Sequence, residues 1–412
     1  MGESNSTSLI PILSNALTRI RSTPPRIIAS PATQPRRAAV AILIRIVPSP
    51  HCPPPPYPSS QPPTLQEFFS QDWVNDAGAR PEILFLRRDQ PHPDVSLGHA
   101  RPRNTKEAHV AFPGGRSEEG DEGGLYTAMR QTWEEIGIDL AESDYTLIGQ
   151  LDDREITTSL GKRLLMILSP FVFLQMSPSP PPPDPSPMTS LVWVPMDLLV
   201  TRTQGKRWSS VSVDAASRLA PRHSSFLRWL VRILVGTMQF PAIILDEFYV
   251  SPHTQGTHEK GVPQQLKLWG LSLGMTLDLI ANMLPATSDD SPLKLQMPYP
   301  LTDEHGEAIK VDIVAPSLAS VFPKFSYPDV NFWICLFFCP RVFGKRYREV
   351  VRGWEASVRA AGTNDRRINW SGSALNTFYA AVRKALLVVI VARGFGVLAA
   401  LAFAAWWAYN MR

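Results

Sequence analysis

The sequence predicts an α/β fold whose sheet lies between helices, followed by a C-terminal extension that ends in one membrane-spanning helix. Three observations carry this. Short runs rich in branched and aromatic residues alternate with helical stretches, the prolines cluster between those runs, and the final apolar run is long enough to cross a bilayer.

Residues 38–46, 82–88, 146–151, 163–175, 191–195 and 242–250 read as strands. Leu125–Ile136 and Leu266–Leu284 read as helices by their apolar spacing. Forty prolines are far more than usual, and they concentrate in two segments, so residues 47–63 and 176–188 are expected to be loop insertions in a domain running from 31 to 285. Residues 286–384 form an extension without a legible role.

The 412 residues, 44% hydrophobic, exceed what one ordinary domain needs, which argues for a core with appendages. A formal net charge of +4 is mild at this length, and no stretch interleaves basic and aromatic residues as a nucleic-acid surface requires, so nucleic acid is not expected as a partner. Cys52, Cys335 and Cys339 make neither a disulfide framework nor a zinc set.

Residues 1–30 read as a variable N-terminal segment. Arg19, Arg21, Arg26, Arg36 and Arg37 against the single acid Glu3 give the composition of a mitochondrial transit segment, and "MGESNS" meets the loose myristoylation pattern. The apolar spacing of "LIPILSNALTRI" equally describes a helix leading into the fold.

At the other end, residues 385–409 hold Arg393 as their only charge. An arginine at mid-membrane costs roughly 2.5–3.5 kcal/mol on insertion scales. Arg393 lies nearer one end, where its side chain can reach the interface, and Trp406, Trp407 and Tyr409 sit where an aromatic belt belongs. The segment is expected to be a tail anchor. Arg383 and Lys384 before it place the remainder of the chain on the cytoplasmic side, at the mitochondrial outer membrane or the endoplasmic reticulum. "NFWICLFFC" (331–339) is too short to cross; it is either core or a surface segment, and in the second case Cys335 and Cys339 are candidates for palmitoylation.

The chemistry concentrates in "FPGGRSEEGDEGGLYTAMRQTWEEIGIDL" (112–140). Gly114 and Gly115 let a backbone turn and approach a ligand, and Gly137 stands where a helix stops. Between them Arg130 and Glu134, and Gln131 and Glu135, are each four apart on one helical face. Two adjacent carboxylates on such a face repel unless a cation joins them. Hard oxygen ligands suit Mg²⁺ or Mn²⁺, which keep several waters and bridge to phosphate oxygens.

This stretch resembles the Nudix box, the loop–helix–loop signature of hydrolases acting on nucleoside diphosphates linked to another moiety. The resemblance rests on Gly115, Arg130, the pair Glu134 and Glu135, and Gly137. It implies a Nudix-type α/β/α sandwich with a mixed sheet, a small-molecule nucleotide as partner and Mg²⁺ or Mn²⁺ as cofactor. It further implies a metal held by Glu134, Glu135 and Gln131, with Asp121 the favoured match for the loop acid over Glu122. Glu118 and Glu119 are further sources of charge in that loop. The spacing of "PGG", the acid and "TAMR" is similar to the coenzyme A diphosphatase branch, as are residues 149–173, 192–199 and 268–280, in the same order. Residues 86–115 depart from that branch by an insertion and lack a clean form of its arginine–serine motif.

Gln131 stands where the family has a glutamate that binds metal or activates water. A glutamine keeps a carbonyl oxygen but cannot take a proton. Two readings follow: a metal-dependent diphosphatase in which another acid serves as base, Glu247 and Glu259 being candidates outside the box, or a catalytically impaired Nudix-like module that binds a nucleotide or a protein at a membrane. Arg130 is expected to hold the loop and helix acids in place or to form a plain helical ion pair with Glu134. Asp152 and Asp153 are expected to cap turns or to approach the metal or substrate, and His109 to point at substrate or fill a strand end.

Overall fold

The computed structural model describes residues 9–30, 36–54, 62–88, 107–157, 164–186, 189–200, 208–215, 224–245, 265–283, 323–339 and 370–411. They divide into two compact units. Unit 1 comprises 1–156, 165–209 and 242–298, and unit 2 comprises 157–164, 210–241 and 299–412. The grouping differs from the expected domain of 31–285 at its start and in its interior: the described residues 9–30 fall in unit 1, and the described part of 210–241 falls in unit 2 with that of the C-terminal extension.

Unit 1 is built on strand β1 (Arg37–Val47), which is buried along nearly its whole length. One edge of β1 pairs in parallel with β7 (Leu164–Gln175), and β7 in turn pairs antiparallel with β5 (Tyr145–Gln150). The other edge is shared by two partners. Ile44–Val47 pair with β2 (Arg80–Arg88), and Ala38–Val40 pair with β4 (Gly114–Arg116). Strand β3 (Glu107–Ala111), immediately before β4, pairs instead with the far end of β2. Thus the chain passes from one part of the sheet to the other at Phe112 and Pro113. On its second edge β2 carries β8 (Thr189–Pro195). A short strand, β6 (Arg154–Thr157), pairs with β7.

Helices cover both faces of this mixed sheet, because alternate residues of β1 point opposite ways. Ile42, Ile44 and Ile46 face a core shared with α1 (Ile10–Ser22), α2 (Leu65–Ser70) and α3 (Asp72–Asn75). Ala39, Ala41 and Leu43 face α4 (Gly124–Ile136). The alanines are small, and α4 meets them with Ala128 and Ile136, so this helix can approach the sheet closely. The N-terminal helix buries Ile10, Leu13, Ala16, Leu17 and Ile20, the stripe read as a helix entering the fold.

The segment expected as one helix over Leu266–Leu284 is two elements. Strand β11 (Gln265–Trp269) pairs in parallel with β3 and antiparallel with residues 242–245 of β10 (Thr237–Leu245). Leu266 and Leu268 alternate into the core, and the chain turns into helix only at Gly270, whose φ of 63° is left-handed. A short helix, α5 (Asp197–Val200), follows β8.

In unit 2, β9 (Trp208–Asp214) pairs with β10, and Met238 and Gln239 of β10 pair with β12 (Lys324–Phe325). Three helices pack with them: α6 (Ser225–Val235), α8 (Pro328–Cys339) and α9 (Trp370–Asn410), α7 (Gly270–Met283) belonging to unit 1. Their shared core holds Val235, Val330, Ile334, Val382, Ala385 and Val389. Residues 323–339 and 370–384 thereby acquire a structural role, while 286–322 and 340–369 lie outside the described residues.

Helix α9 is long and apolar enough, over Tyr379–Asn410, to cross a membrane. The sequence reads it as apolar all round, yet it is used in two ways. Up to Val389 one face is buried in unit 2; from Gly394 onward every described residue is exposed. Arg393 stands at the change. Its guanidinium donates to both carboxylate oxygens of Asp329 at 2.8 and 2.6 Å and to the Leu234 carbonyl at 2.6 Å, and it lies over the Tyr327 ring. The lone charge of the apolar run is therefore paired rather than merely tolerated.

Candidate functional site

The site is assembled where the loop after β4 returns to α4. Gly114 has a φ of 144°, and a Cβ there would lie 2.4 Å from the Ala39 carbonyl oxygen and 2.6 Å from the Val40 Cα. Only a residue without a side chain lets β4 lie this close to β1. Helix α4 ends at Gly137 in the left-handed conformation, its amide donating to the Trp133 carbonyl at 2.8 Å.

Arg130 organises the loop. Its Nε and Nη2 donate in parallel to the two oxygens of Asp121, both at 2.9 Å, and its Nη1 donates to Glu134 at 3.0 and 3.2 Å. The Arg116 carbonyl accepts a further bond at 3.3 Å, and Glu118 lies 3.5 Å from Nη1. Asp121 also receives the Glu118 amide at 3.0 Å, and the Thr127 hydroxyl lies 2.8 Å from it. Its side chain is 5% exposed, and the hydrogen bonds from Arg130 hold its carboxyl well below the usual carboxylate range. The same pairing pushes Arg130 further into its charged form.

This engagement changes the expectation for Asp121. Both oxygens are committed to Arg130 and to the loop, so the residue ties the loop to the helix rather than presenting a carboxylate outward. One Arg130 guanidinium reaches both the loop acid Asp121 and the helix acid Glu134.

Glu135 points the other way, toward β4. Its Oε2 accepts the Gly114 amide at 3.4 Å. Gln131 donates from Nε2 to Glu134 at 3.2 Å, and its Oε1 lies against Gly115, 2.2 Å from where a Cβ there would stand. Gln131, Glu134 and Glu135 thus line the helix edge that meets the paired glycines. The side chain of Glu134 is half exposed.

Among the described residues, no three acidic, histidine or cysteine side chains converge to hold a metal by themselves. Two carboxylates and one amide oxygen at this edge fit a hard divalent cation that completes its shell with water and phosphate oxygens. They do not fit a metal enclosed by protein alone.

Other predicted residues lie apart from this cluster. Asp153 is fully buried. It accepts from Arg37 at 2.8 Å, the Ile28 amide at 3.0 Å, and Gln150 and Ser169 at 2.7 Å each. Asp152 accepts the Arg26 amide at 3.1 Å. Together they clamp residues 26–28 onto the sheet. The His109 ring lies 5.4 Å from that of Trp269. Glu247 and Glu259 lie outside the described residues.

Sequence reasoning missed one supporting element, the second proline-rich insertion. The Asp184 amide donates to the Ile136 carbonyl at 2.9 Å, the Ser186 amide to Glu135 at 3.0 Å, and the Ser186 hydroxyl to the Glu134 carbonyl at 3.3 Å. The insertion therefore caps the C-terminal turn of α4, satisfying carbonyls of the very residues that carry the acids. Thr127, the other unrecognised contributor, was visible only as part of "TAMR".

Comparison with known proteins finds three likenesses. The chain is 28% identical over 262 residues to an uncharacterized protein of Schizosaccharomyces pombe, covering 63% of this chain and 69% of that protein. A MutT/nudix family protein from Enterococcus faecalis superimposes with a TM-score of 0.23 and 12% identity, a slight likeness spanning 58% of this chain and 64% of that protein's length. Residues 76–230 match the family model of the NUDIX domain, a range that contains β3, β4, the Arg130 network and α4 with its cap.

Proposed function

We propose that this chain is a Nudix diphosphatase held at a membrane by α9, acting on a nucleoside diphosphate derivative, with coenzyme A or a related nucleotide as its substrate. The NUDIX domain supports a pyrophosphohydrolase-type activity. The observation that carries the proposal is the separation of labour between the adjacent glutamates. Arg130 neutralises Glu134, while Glu135 turns toward the Gly114 amide on the strand that would flank a bound diphosphate.

In the proposed reaction water adds to one phosphorus of the anhydride and the bridging P–O bond breaks. Coenzyme A would give 4′-phosphopantetheine and adenosine 3′,5′-diphosphate. Glu134 and Glu135, with the Gln131 carbonyl, would hold Mg²⁺ or Mn²⁺, which when bound neutralises phosphate oxygens and makes water a better nucleophile. Gln131 cannot accept the water proton, and both oxygens of Glu134 already receive Arg130, so Glu135 is the acid of this edge assigned as proton acceptor. Arg130 keeps the loop closed on the helix through Asp121 and does not itself need to meet substrate.

A second reading, a binding module without turnover, is favoured by one observation. Gln131 donates to Glu134 and so occupies the position of an acid with a hydrogen-bonded amide.

The test uses the full chain in detergent, because residues 382–389 belong to the core of unit 2 and a truncation at 384 would cut into it. Coenzyme A, NADH, ADP-ribose and 8-oxo-dGDP are incubated with Mg²⁺ or Mn²⁺ and the products separated. Diphosphate cleavage lost in Glu135→Gln establishes the enzyme. Metal-dependent binding of the same nucleotides without cleavage establishes the module.

A further inference from the structure

Helix α6 has two apolar faces, of which unit 2 uses one. Val235 is buried, with Val231 and Leu234 packed beside it against the core. Phe226, Trp229 and Ile233, spaced i, i+3 and i+7, form a second stripe that is 68%, 58% and 47% exposed. Arg232, also exposed, flanks it. A helix that serves only a soluble core puts polar residues on its outer face. The Phe226 and Trp229 rings are 6.2 Å apart in a stacked arrangement, so these two residues present one surface, and Ile233 stands one turn beyond Trp229 on the same side.

The position of this stripe is fixed relative to α9. The last turn of α6 is tied to Arg393 through the Leu234 carbonyl, and Arg393 is the residue after which α9 becomes exposed on every side. From Arg393 to Asn410 the helix rises about 26 Å, close to the ~30 Å of hydrocarbon a bilayer presents. Trp406, Trp407 and Tyr409 then fall at the far interface, and Arg393 with its Asp329 counter-ion falls at the near one.

On the reading of α9 as a membrane span, we infer that α6 is an interfacial helix laid along the near surface of the same bilayer. Phe226, Trp229 and Ile233 enter the boundary between headgroups and acyl chains, and Arg232 remains among the lipid phosphates. The chemistry suits this occupant. Aromatic and branched residues on one stripe beside an arginine are what an interfacial helix uses, and the Leu234–Arg393 bond brings the end of α6 to the level where lipid begins. Phe332 and Leu336, exposed on α8 one turn apart, extend the apolar surface of the same unit.

The test reconstitutes the full chain, with Cys52, Cys335 and Cys339 replaced by serine, into vesicles of phosphatidylcholine and phosphatidylserine. Single cysteines from Trp229→Cys, Ile233→Cys or Phe403→Cys carry an environment-sensitive fluorophore, with Ile27→Cys as an aqueous reference. The expected result is a blue-shifted label at 229 and 233 that aqueous dithionite fails to reduce and that lipids with a shallow quencher extinguish. The 403 label should respond to a deep quencher. A lipid-quenched 403 label beside dithionite-reduced 229 and 233 labels would overturn the inference and leave the anchor standing. Labels at 229 and 233 shielded from both dithionite and lipid quenchers would mean that protein, a second copy or another partner, covers the stripe, which also overturns it. Reduction of all the labels would remove the membrane reading itself.

Discussion

Asp121 and Arg130 meet through two parallel hydrogen bonds of equal length, 2.9 Å each, joining the acidic loop to the middle of α4. The aspartate side chain is 5% exposed and the arginine 15%. Such a bidentate pair fixes direction as well as distance.

Replacing Arg130 with Met should therefore cost about 1.5–3 kcal/mol, the range for hydrogen bonds to charged groups, read as a lower urea midpoint. The pH dependence should change with it. The carboxyl of Asp121 is depressed in the folded state by Arg130, so its contribution is present above the ordinary carboxylate pKa of about 4 and is lost as pH falls. The native chain should lose stability on acidification below that value more steeply than Arg130→Met.

Gln131→Glu should raise the rate of diphosphate cleavage, because it places a third carboxylate at the edge shared by Glu134 and Glu135. The gain should appear in kcat under saturating substrate and metal, and it should stay well below the about 10² to 10⁴ that a missing proton acceptor is worth, because Glu135 already serves as acceptor. A gain of that full size would show that Glu135 does not do this work.

The paired glycines should respond differently to alanine. At Gly114 the new methyl meets fixed backbone, with φ at 144°, so Gly114→Ala should destabilise the domain by about 1–3 kcal/mol and shift its melting temperature down. At Gly115 the methyl meets only the end of the Gln131 side chain, which can move. Gly115→Ala should leave the melting temperature near native and alter the metal dependence of nucleotide binding.

Shortening residues 178–186 to a glycine linker should loosen the last turn of α4. The Asp184 and Ser186 amides would no longer cap Ile136 and Glu135. Hydrogen exchange should rise at α4 residues 133–137 while β1 remains protected, and apparent affinity for Mn²⁺ should fall.

Much of unit 1 was legible because its signals are local. The strands β1, β2, β5, β7 and β8 announce themselves by composition, and α4 lies between two glycine signals. Where the signals failed, the cause was long-range pairing. Leu266–Trp269 reads as the start of an apolar helix until β3 and β10 are seen on either side of it. Likewise, loop length alone left Asp121 and Glu122 as alternatives, and only the reach of the Arg130 side chain separates them. No proline-rich composition states that its backbone will cap a helix at Glu135. The grouping of residues 210–241 with α8 and α9 was also invisible, since nothing near them in sequence hints at partners so far along the chain.

That last grouping has a temporal side. Val235 and Ala381 share one core, yet 146 positions separate them in the chain. Translation proceeds at roughly 5–20 residues per second, so α6 emerges on the order of ten seconds before the helix that covers it. During that interval both of its apolar faces stand open to solvent, chaperones and membranes alike, and what it meets first is decided by synthesis.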